Sequence, residues 1–184
     1  MNINIIVAYC KNNGIGFQNQ MPWHIKSDLK KFQKLTTGTG NNAVIMGKNT
    51  YNSILNNNKN GLKNRDNLIL STSLSIDKRT DNNDIIKSFN SIQNLETFIK
   101  NKNYNQLWII GGTQIYDLFL NNYPEDGLLN PGKIYITYID ENFECDSFFP
   151  KIDNLKYRFI SQEIHNNLKD SNNYSIIDII YLKT

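Results

Sequence analysis

Four short apolar runs constrain the fold of this chain more than any other feature. Residues 3–9, 43–47, 67–71 and 106–110 consist largely of Ile, Val, Leu and aromatic residues, without the alternation of a half-exposed strand. Continuous apolar strands are typical of sheets that helices cover on both faces. Because helical patterns separate the runs, we predict an α/β fold with a mainly parallel central sheet.

The remaining segments complete this sheet. A brief strand is predicted at 85–87, and residues 133–140 alternate Ile and Tyr with other residue types. The segments 157–164 and 174–182 flank the polar loop 166–173, which is typical of an antiparallel hairpin at a sheet edge. We therefore expect about eight strands, flanked by about four helices.

The size and composition of the chain favour one domain and exclude several functional classes. A length of 184 residues suits a single domain, which we assign to residues 1–184. The net charge of +3 is small and the lysines are scattered, unlike the dense basic surface of nucleic-acid-binding proteins. We find no apolar run of membrane-spanning length and no signal segment, so we expect a cytoplasmic protein without nucleic-acid or membrane partners.

The cysteines give no sign of a metal site. Cys10 and Cys145 are far apart in sequence and have neither CxxC nor zinc-ligand spacing. We expect both to be reduced thiols and predict no bound metal.

Several segments are predicted to be loops or packing helices. Residues 10–24, 55–66 and 72–84 are polar and lack periodicity, as in surface loops. Ser91 can cap a helix that runs through Leu95 and Ile99. We interpret that helix as contributing only to packing.

Asp28 is an acidic residue on an otherwise apolar stripe of a predicted helix. Because an α-helix has about 3.6 residues per turn, Phe32 and Leu35 share the stripe and Leu29 lies at its margin. The solvent-facing side is assigned to Lys30, Lys31, Gln33 and Lys34. A buried carboxylate is costly unless it is paired. Asp28 is therefore either a functional acid or a first-turn residue that the helix dipole stabilises.

Two glycine-containing turns join predicted strands to helices. Gly47 precedes a helix that begins with Lys48-Asn49-Thr50, and Gly111-Gly112 precedes a helix through Ile115. Helix N-termini bind anions, and glycine lets a backbone approach a phosphate or a ring closely. Each turn could also be an ordinary strand-to-helix connection. In an open α/β sheet such turns lie at the carboxyl ends of the strands, where ligands bind.

A series of short motifs extends along nearly the whole chain. They are Ile15-Gly16, Met21-Pro22-Trp23, Asp28-Leu29, Phe32, Val44-Ile45-Met46-Gly47, Arg65, Ile110-Gly111-Gly112, Thr137-Tyr138-Ile139-Asp140 and Phe149-Pro150. Each is weak alone, but their order and spacing together are specific. In these motifs the chain resembles the dihydrofolate reductase family, whose fold matches the sheet predicted above.

The resemblance implies an NADPH-dependent oxidoreductase. Its reaction would reduce 7,8-dihydrofolate to 5,6,7,8-tetrahydrofolate, by hydride transfer to pterin C6 and protonation at N5. This activity would support one-carbon metabolism and thymidylate synthesis. We also expect a monomer that binds antifolate inhibitors.

Two other functions share parts of this pattern. A pyrimidine reductase of riboflavin synthesis has the same fold and cofactor but lacks the helix acid, so Asp28 and the Met21-Pro22-Trp23 motif argue against it. A non-catalytic pteridine- or nucleotide-binding protein would be expected to lose the acid or the glycines, whereas Asp28, Gly16 and Gly111-Gly112 are all present.

The resemblance also implies roles on the substrate side. The catalytic set is Asp28, Trp23, Met21 and Thr137: Asp28 would bind the pterin, Thr137 would orient Asp28, Trp23 would hold a water, and the loop around Met21 would close over the site. The substrate contacts are Ile6, Val7, Asp28, Leu29, Phe32, Ile54, Leu62, Arg65, Ile110, Tyr116 and Thr137. Arg65 would clamp the glutamate carboxylate of the substrate. The family usually has a proline between the leucine and this arginine, whereas this chain reads Leu62-Lys63-Asn64-Arg65.

The cofactor contacts implied by the resemblance surround the two glycine turns. They are Ala8, Ile15, Gly16, Gly47, Lys48, Asn49, Thr50, Ser71, Thr72, Ile110, Gly111, Gly112, Thr113, Gln114, Ile115 and Tyr116. Many relatives carry Arg at position 48 and some carry Arg at position 114. In this chain Lys48 is therefore the residue expected to supply the positive charge near phosphate.

Overall fold

The centre of the molecule is a nine-stranded mixed sheet. The computed structural model describes residues 1–165 and 174–184. The strands are β1 (Asn2–Cys10), β2 (Gly14–Gly16), β3 (Asn42–Gly47), β4 (Asp66–Leu70), β5 (Asp77–Arg79), β6 (Ile85–Phe89), β7 (Gln106–Gly111), β8 (Lys133–Ile139), β9 (Ser147–Phe148), β10 (Tyr157–His165) and β11 (Ile176–Lys183). The helices are α1 (Lys26–Thr37), α2 (Lys48–Asn57), α3 (Ile92–Lys100) and α4 (Thr113–Asp117), the last continued by a π-helical segment at Leu118–Asn122.

The sheet topology confirms the predicted α/β class. The strand order is β10-β11-β8-β1-β7-β3-β4-β6-β5. The six strands from β8 to β6 run parallel, whereas β10, β11 and β5 pair antiparallel with their neighbours. The predicted C-terminal antiparallel strands are thus present, while the predicted loop 166–173 between them lies outside the described residues.

Three short strands were absent from the predicted elements. β5 forms the ninth strand of the sheet within the stretch 72–84, and its residues are exposed at an edge. β2 and β9 form a separate two-stranded sheet, so the predicted loop 10–24 is not entirely irregular. These strands are two or three residues long, too short to show periodicity.

Alternate residues of the central strands face two different helical layers. In β1, Ile5 belongs to a core cluster with Leu95 of α3 and Phe119, whereas Ile6 belongs to a cluster with Tyr51 of α2. Phe32 of α1 packs against the second cluster. Coverage on both faces explains why the parallel strands are continuously apolar.

The connections place helix N-termini beside the carboxyl ends of parallel strands. α2 begins directly after β3, and Gly112 alone separates β7 from α4. Such an arrangement leaves a ligand crevice beyond the strand ends. Across the described ranges, no helix is both long and apolar enough to cross a bilayer.

Candidate active site

A crevice of about 1730 Å³ opens at the carboxyl ends of β1, β3, β4 and β7. The wall includes Ala8, Gly47, Ser71 and Ile110, which lie at or near the ends of these strands. Of the residues predicted to contact substrate or cofactor or to act in catalysis, all line the crevice except Trp23 and Gly111. The predicted residues therefore lie around one continuous crevice.

Asp28 lies in the first turn of α1 and points toward β8. Its side chain is 11 % exposed, and Thr137 donates a hydrogen bond to Asp28 Oδ1 at 2.6 Å. Burial raises the pKa of Asp28, while the Thr137 hydrogen bond and the nearby Lys31 ammonium oppose that increase. Asp28 thus occupies the first helical turn, as the alternative interpretation required, and also presents a carboxylate to the crevice.

Lys31 does not lie on the solvent-facing side of α1, so that assignment was wrong. Its ammonium donates hydrogen bonds to Thr137 Oγ1 and Asp178 Oδ1, and lies 3.7 Å from Asp28 Oδ1. Position 31 is one turn from Asp28, and Asp178 lies beside Thr137 in the adjacent strand. An acidic partner more than a hundred residues away could not be inferred from the helix pattern.

The wall around Asp28 is apolar, as predicted. It contains Ile6, Val7, Leu29, Phe32, Ile54 and Leu62. Leu29 is 37 % exposed, which agrees with its predicted place at the margin of the stripe. A flat heterocycle placed here would have apolar contacts on its faces and a carboxylate at its edge.

Arg65 is a buried cation at the far side of this wall. It is 5 % exposed, donates from Nε to Lys63 O at 3.0 Å and from Nη1 to Thr36 Oγ1, and lies over the Phe32 ring. It forms no ion pair with any residue in the described part of the chain. Burial lowers the pKa of Arg65 to about 10. A buried guanidinium that has no carboxylate partner among the described residues favours an anionic ligand.

Asn67 orders the loop before Arg65, where the sequence departs from the family pattern. Its side chain accepts from Leu62 N at 2.9 Å and donates to Leu62 O and Arg65 O, both at 2.9 Å. Asn67 is fully buried. A buried amide thus ties Leu62 and Arg65 together without a proline.

Gly111 and Gly112 form the turn between β7 and α4. Gly111 has φ +101°, and a Cβ there would lie 2.6 Å from Tyr116 Cε2. Tyr116 donates to Ile6 O at 2.8 Å, and burial raises its pKa. Gly111 therefore supports the wall from behind, whereas Gly112 lines the crevice itself.

The N-terminus of α2 forms another part of the wall. Its N-cap residue is Gly47, and no side chain in the described structure caps the helix. A Cβ at Gly47 would lie 3.2 Å from Ile115 Cγ1, so the two strand-to-helix turns pack closely. Lys48 donates to Ser73 Oγ at 3.1 Å and lines the crevice. This edge combines free helical N–H groups with a positive charge, as phosphate binding requires.

The loop before α1 covers one end of the crevice. Met21 is 47 % exposed and lines the crevice, whereas Trp23 is buried in a separate apolar cluster with Ile25 and Cys10. Trp23 Nε1 is buried and has no hydrogen-bond partner among the described residues. The Trp23 side chain thus supports the loop from beneath.

Some crevice residues were missed by sequence reasoning. They include Asn90, Ser91, Ile92 and Gln93 near the start of α3, together with Ser73, Ser147 and Phe148. The interpretation of α3 as a packing helix alone was therefore wrong, although Ser91 does cap it by accepting from Asn94 N at 3.2 Å. α3 also follows a parallel strand, β6, and residues in that position lie at the edge of the sheet where ligands bind. The predicted strand at 85–87 could therefore have indicated that these residues line the crevice.

The chain is similar to known proteins of one family. The family model described as Dihydrofolate reductase matches residues 2–183. A dihydrofolate reductase of Drosophila melanogaster is 36 % identical over 162 residues, covering 83 % of this chain and 81 % of that protein. One of Sus scrofa is 34 % identical over 169 residues, covering 87 % and 85 %, respectively. A viral dihydrofolate reductase of Saimiriine herpesvirus 2 is 36 % identical over 164 residues, covering 86 % and 73 %.

The family match extends over nearly the whole chain and includes the strands and turns that form the crevice. It confirms the resemblance drawn from the short motifs. This chain belongs to the dihydrofolate reductase family.

Proposed function

We propose that this chain reduces 7,8-dihydrofolate to 5,6,7,8-tetrahydrofolate with NADPH as the reductant. The observation that carries the proposal is the Thr137–Asp28 pair, a buried hydroxyl–carboxylate contact of 2.6 Å at the wall of a crevice formed by strand ends. The crevice is large enough for two ligands side by side, as transfer between two ring systems requires.

Asp28 orients the pterin ring. Its carboxylate accepts hydrogen bonds from ring N3 and from the exocyclic amine, and Thr137 holds the carboxylate in place. Ile6, Leu29 and Phe32 contact the ring faces. A carboxylate in this poorly solvated position also stabilises the positive charge that develops when N5 is protonated, with the proton coming from water.

The crevice fits a phosphorylated dinucleotide at the two glycine turns. Gly112 lines the crevice, where an added Cβ would contact Thr50 Oγ1 at 3.4 Å, so the missing side chain leaves room for a ligand. Gly112 and the residues of α4, Thr113, Gln114 and Ile115, would bind the pyrophosphate. Lys48, Asn49 and Thr50 would bind phosphate at the start of α2, with Ser71 and Thr72 beside the adenosine 2′-phosphate.

The nicotinamide would lie nearest to Asp28. Ala8, Ile15, Gly16 and Tyr116 line this part of the crevice, and Ile110 lies between the two ring sites. NADPH, when bound, supplies the hydride for pterin C6. The loop around Met21 excludes water from this step, and Trp23 supports the loop.

Arg65 binds the glutamate tail of the substrate. Its guanidinium is buried and forms no ion pair within the described ranges, so a substrate carboxylate would satisfy it with a bidentate contact. We further propose that residues 1–184 act as a single-domain monomer in the cytoplasm. Antifolates that present a pterin-like edge to Asp28 would compete with dihydrofolate.

The preference for NADPH depends on Lys48. The test is dihydrofolate-dependent loss of NADPH absorbance, run in parallel with NADH. We expect faster turnover with NADPH. We expect Lys48→Gln to raise the KM for NADPH by about tenfold and the KM for NADH by much less, because Lys48 contacts Ser73, next to the residues proposed to bind the 2′-phosphate. Lys100→Gln, at the exposed end of α3, is the control. Equal rates with both cofactors would overturn the NADPH assignment.

A further inference from the structure

We propose that Lys31, held by Asp178, is a positioning residue for Asp28. This inference rests on the proposed role of Asp28 as the group that binds the pterin. Lys31 fixes the direction of the Thr137 hydroxyl proton and sets the charge that Asp28 experiences. Neither Lys31 nor Asp178 lines the main crevice.

The hydrogen bonds around Thr137 have only one consistent direction. Lys31 Nζ carries only donors, so at its contact with Thr137 the hydroxyl oxygen must accept. The single hydroxyl proton of Thr137 is then directed to Asp28 Oδ1 at 2.6 Å. Lys31 therefore keeps Thr137 as a donor to the Asp28 carboxylate.

Asp178 holds Lys31 in this position. Asp178 of β11 is the direct cross-strand neighbour of Thr137 in β8, so the two side chains lie on the same face of the sheet. Lys31 pairs with Asp178 Oδ1, and His165 Nε2 lies 3.2 Å from Asp178 Oδ2. The polar chain therefore runs from β10 through β11 to α1.

Packing alone does not confine the Lys31 side chain. A second cavity, of about 350 Å³, lies beside it and is bounded by Leu35, Gln162 and Ile179 among others. This cavity shares Ile6 and Thr137 with the main crevice, so it lies directly behind the substrate wall. With free space next to it, Lys31 is held at Thr137 by its polar contacts.

The two charges act on Asp28 in opposite directions. The ammonium of Lys31 lowers the pKa of Asp28, whereas the carboxylate of Asp178 raises it. On these elements, the other titratable groups that line either cavity or contact Asp178 are His24 of the preceding loop, Tyr135 of β8, and Glu163 and His165 of β10. None of these four is among the groups that shift the Asp28 pKa.

This opposition gives a test with a distinctive sign. Lys31→Met removes the positive charge and leaves Asp178, so the pKa of Asp28 should rise by about one pH unit. Asp178→Asn keeps an oxygen that accepts from Lys31 but removes the negative charge, so the pKa of Asp28 should fall. The double variant should return the pKa toward the wild-type value. If the Lys31–Asp178 salt bridge only stabilised the fold, both single variants would shift the pKa of Asp28 in the same direction.

The measurement is a carbon-13 NMR titration of the Asp28 carboxyl in the complex with NADPH, assigned by loss of its signal in Asp28→Asn. Lys31→Arg, which keeps the charge, is the matched control and should leave the pKa within a few tenths of the wild-type value. Shifts of opposite sign in Lys31→Met and Asp178→Asn support the proposal. Shifts of the same sign, or none in either variant, overturn it.

Kinetics provide a second readout. In Lys31→Met the KM for dihydrofolate should rise severalfold, with a smaller effect on kcat, because Thr137 is no longer held as a donor to Asp28. The increase should be larger at acidic pH, where Asp28 becomes protonated in the variant before it does in the wild type. An increase of the same size at every pH, or no increase at any pH, would contradict the proposal. The NMR titration needs no turnover, so an inactive wild-type enzyme would count against the proposed function and not against the role of Lys31.

Discussion

Thr137 of β8 donates a hydrogen bond of 2.6 Å to Asp28 of α1, across 109 residues of sequence. The contact joins the helix that follows the loop around Met21 to a strand next to β1. It holds a carboxylate in a partly buried position, where burial opposes its ionised form. We therefore expect the hydroxyl and the carboxylate to act as a unit when the pterin binds.

Thr137→Val should keep the shape of the side chain but remove the hydroxyl that donates to Asp28. Hydrogen bonds to charged groups contribute about 1.5–3 kcal/mol, so we expect kcat/KM for dihydrofolate to fall by about tenfold or more. Thr137→Ser retains the hydroxyl and should stay close to wild type. Steady-state kinetics of both variants test this, and a Val variant as active as the Ser variant would remove Thr137 from the site.

Asp28→Asn should increase stability at neutral pH while it lowers activity. The pKa of Asp28 in the folded protein is above its ordinary value of 3.8, so the folded state binds a proton more tightly than the unfolded state. Wild-type stability should therefore decline relative to Asp28→Asn as pH rises from 3.8 through the folded-state pKa. Urea denaturation of both proteins across this range is the measurement. If the free energy of unfolding of the wild type instead increased relative to that of the variant as the pH rises, the pKa of Asp28 would not be raised by folding.

Arg65→Lys should weaken binding of the substrate tail. Lysine cannot form the bidentate contact of a guanidinium, so we expect the KM for dihydrofolate to rise by about 10–100-fold with little change in kcat. A reduced pterin without the glutamate provides the control, because its kinetics should be the same in wild type and variant. An equal increase in KM for both substrates would indicate that Arg65 only stabilises the fold and does not bind the glutamate.

The two adjacent glycines should respond differently to alanine. Gly111→Ala places a Cβ 2.6 Å from the Tyr116 ring at φ +101°, so we expect a loss of stability of at least about 1–3 kcal/mol. Gly112→Ala meets only Thr50 Oγ1 at 3.4 Å, so the variant should fold normally but bind NADPH more weakly. Thermal unfolding and NADPH titration distinguish the two effects. Equal stability losses in both variants would contradict the assignment of Gly112 to the cofactor wall.

The sequence was sufficient for the parallel sheet and for most of the crevice. β1, β3, β4 and β7 are buried on both faces, so their apolar runs are continuous and their ends are marked by glycine or polar residues. The motifs at these ends carry the family resemblance. For this reason the predicted site residues converge on one crevice.

The features that were missed depend on contacts distant in sequence. Lys31 shares its part of α1 with Lys30, Gln33 and Lys34, as a surface lysine would. Only the tertiary structure places it beside Thr137 and Asp178. The charged edge strand β5 has no apolar pattern, because its residues are exposed. Asn90 and Ser91 have the composition of an ordinary helix cap, and only the strand order places them at the crevice.

The most direct test of the proposed function compares wild type with Asp28→Asn in NADPH oxidation that depends on added dihydrofolate, near neutral pH. Circular dichroism of both proteins establishes that they are folded. We predict turnover by the wild type and a kcat/KM at least about 100-fold lower in the variant, because the group that binds the pterin and stabilises the developing charge is lost. A folded wild type without turnover, or a variant with undiminished turnover, would contradict the proposed reaction or the role of Asp28 in it.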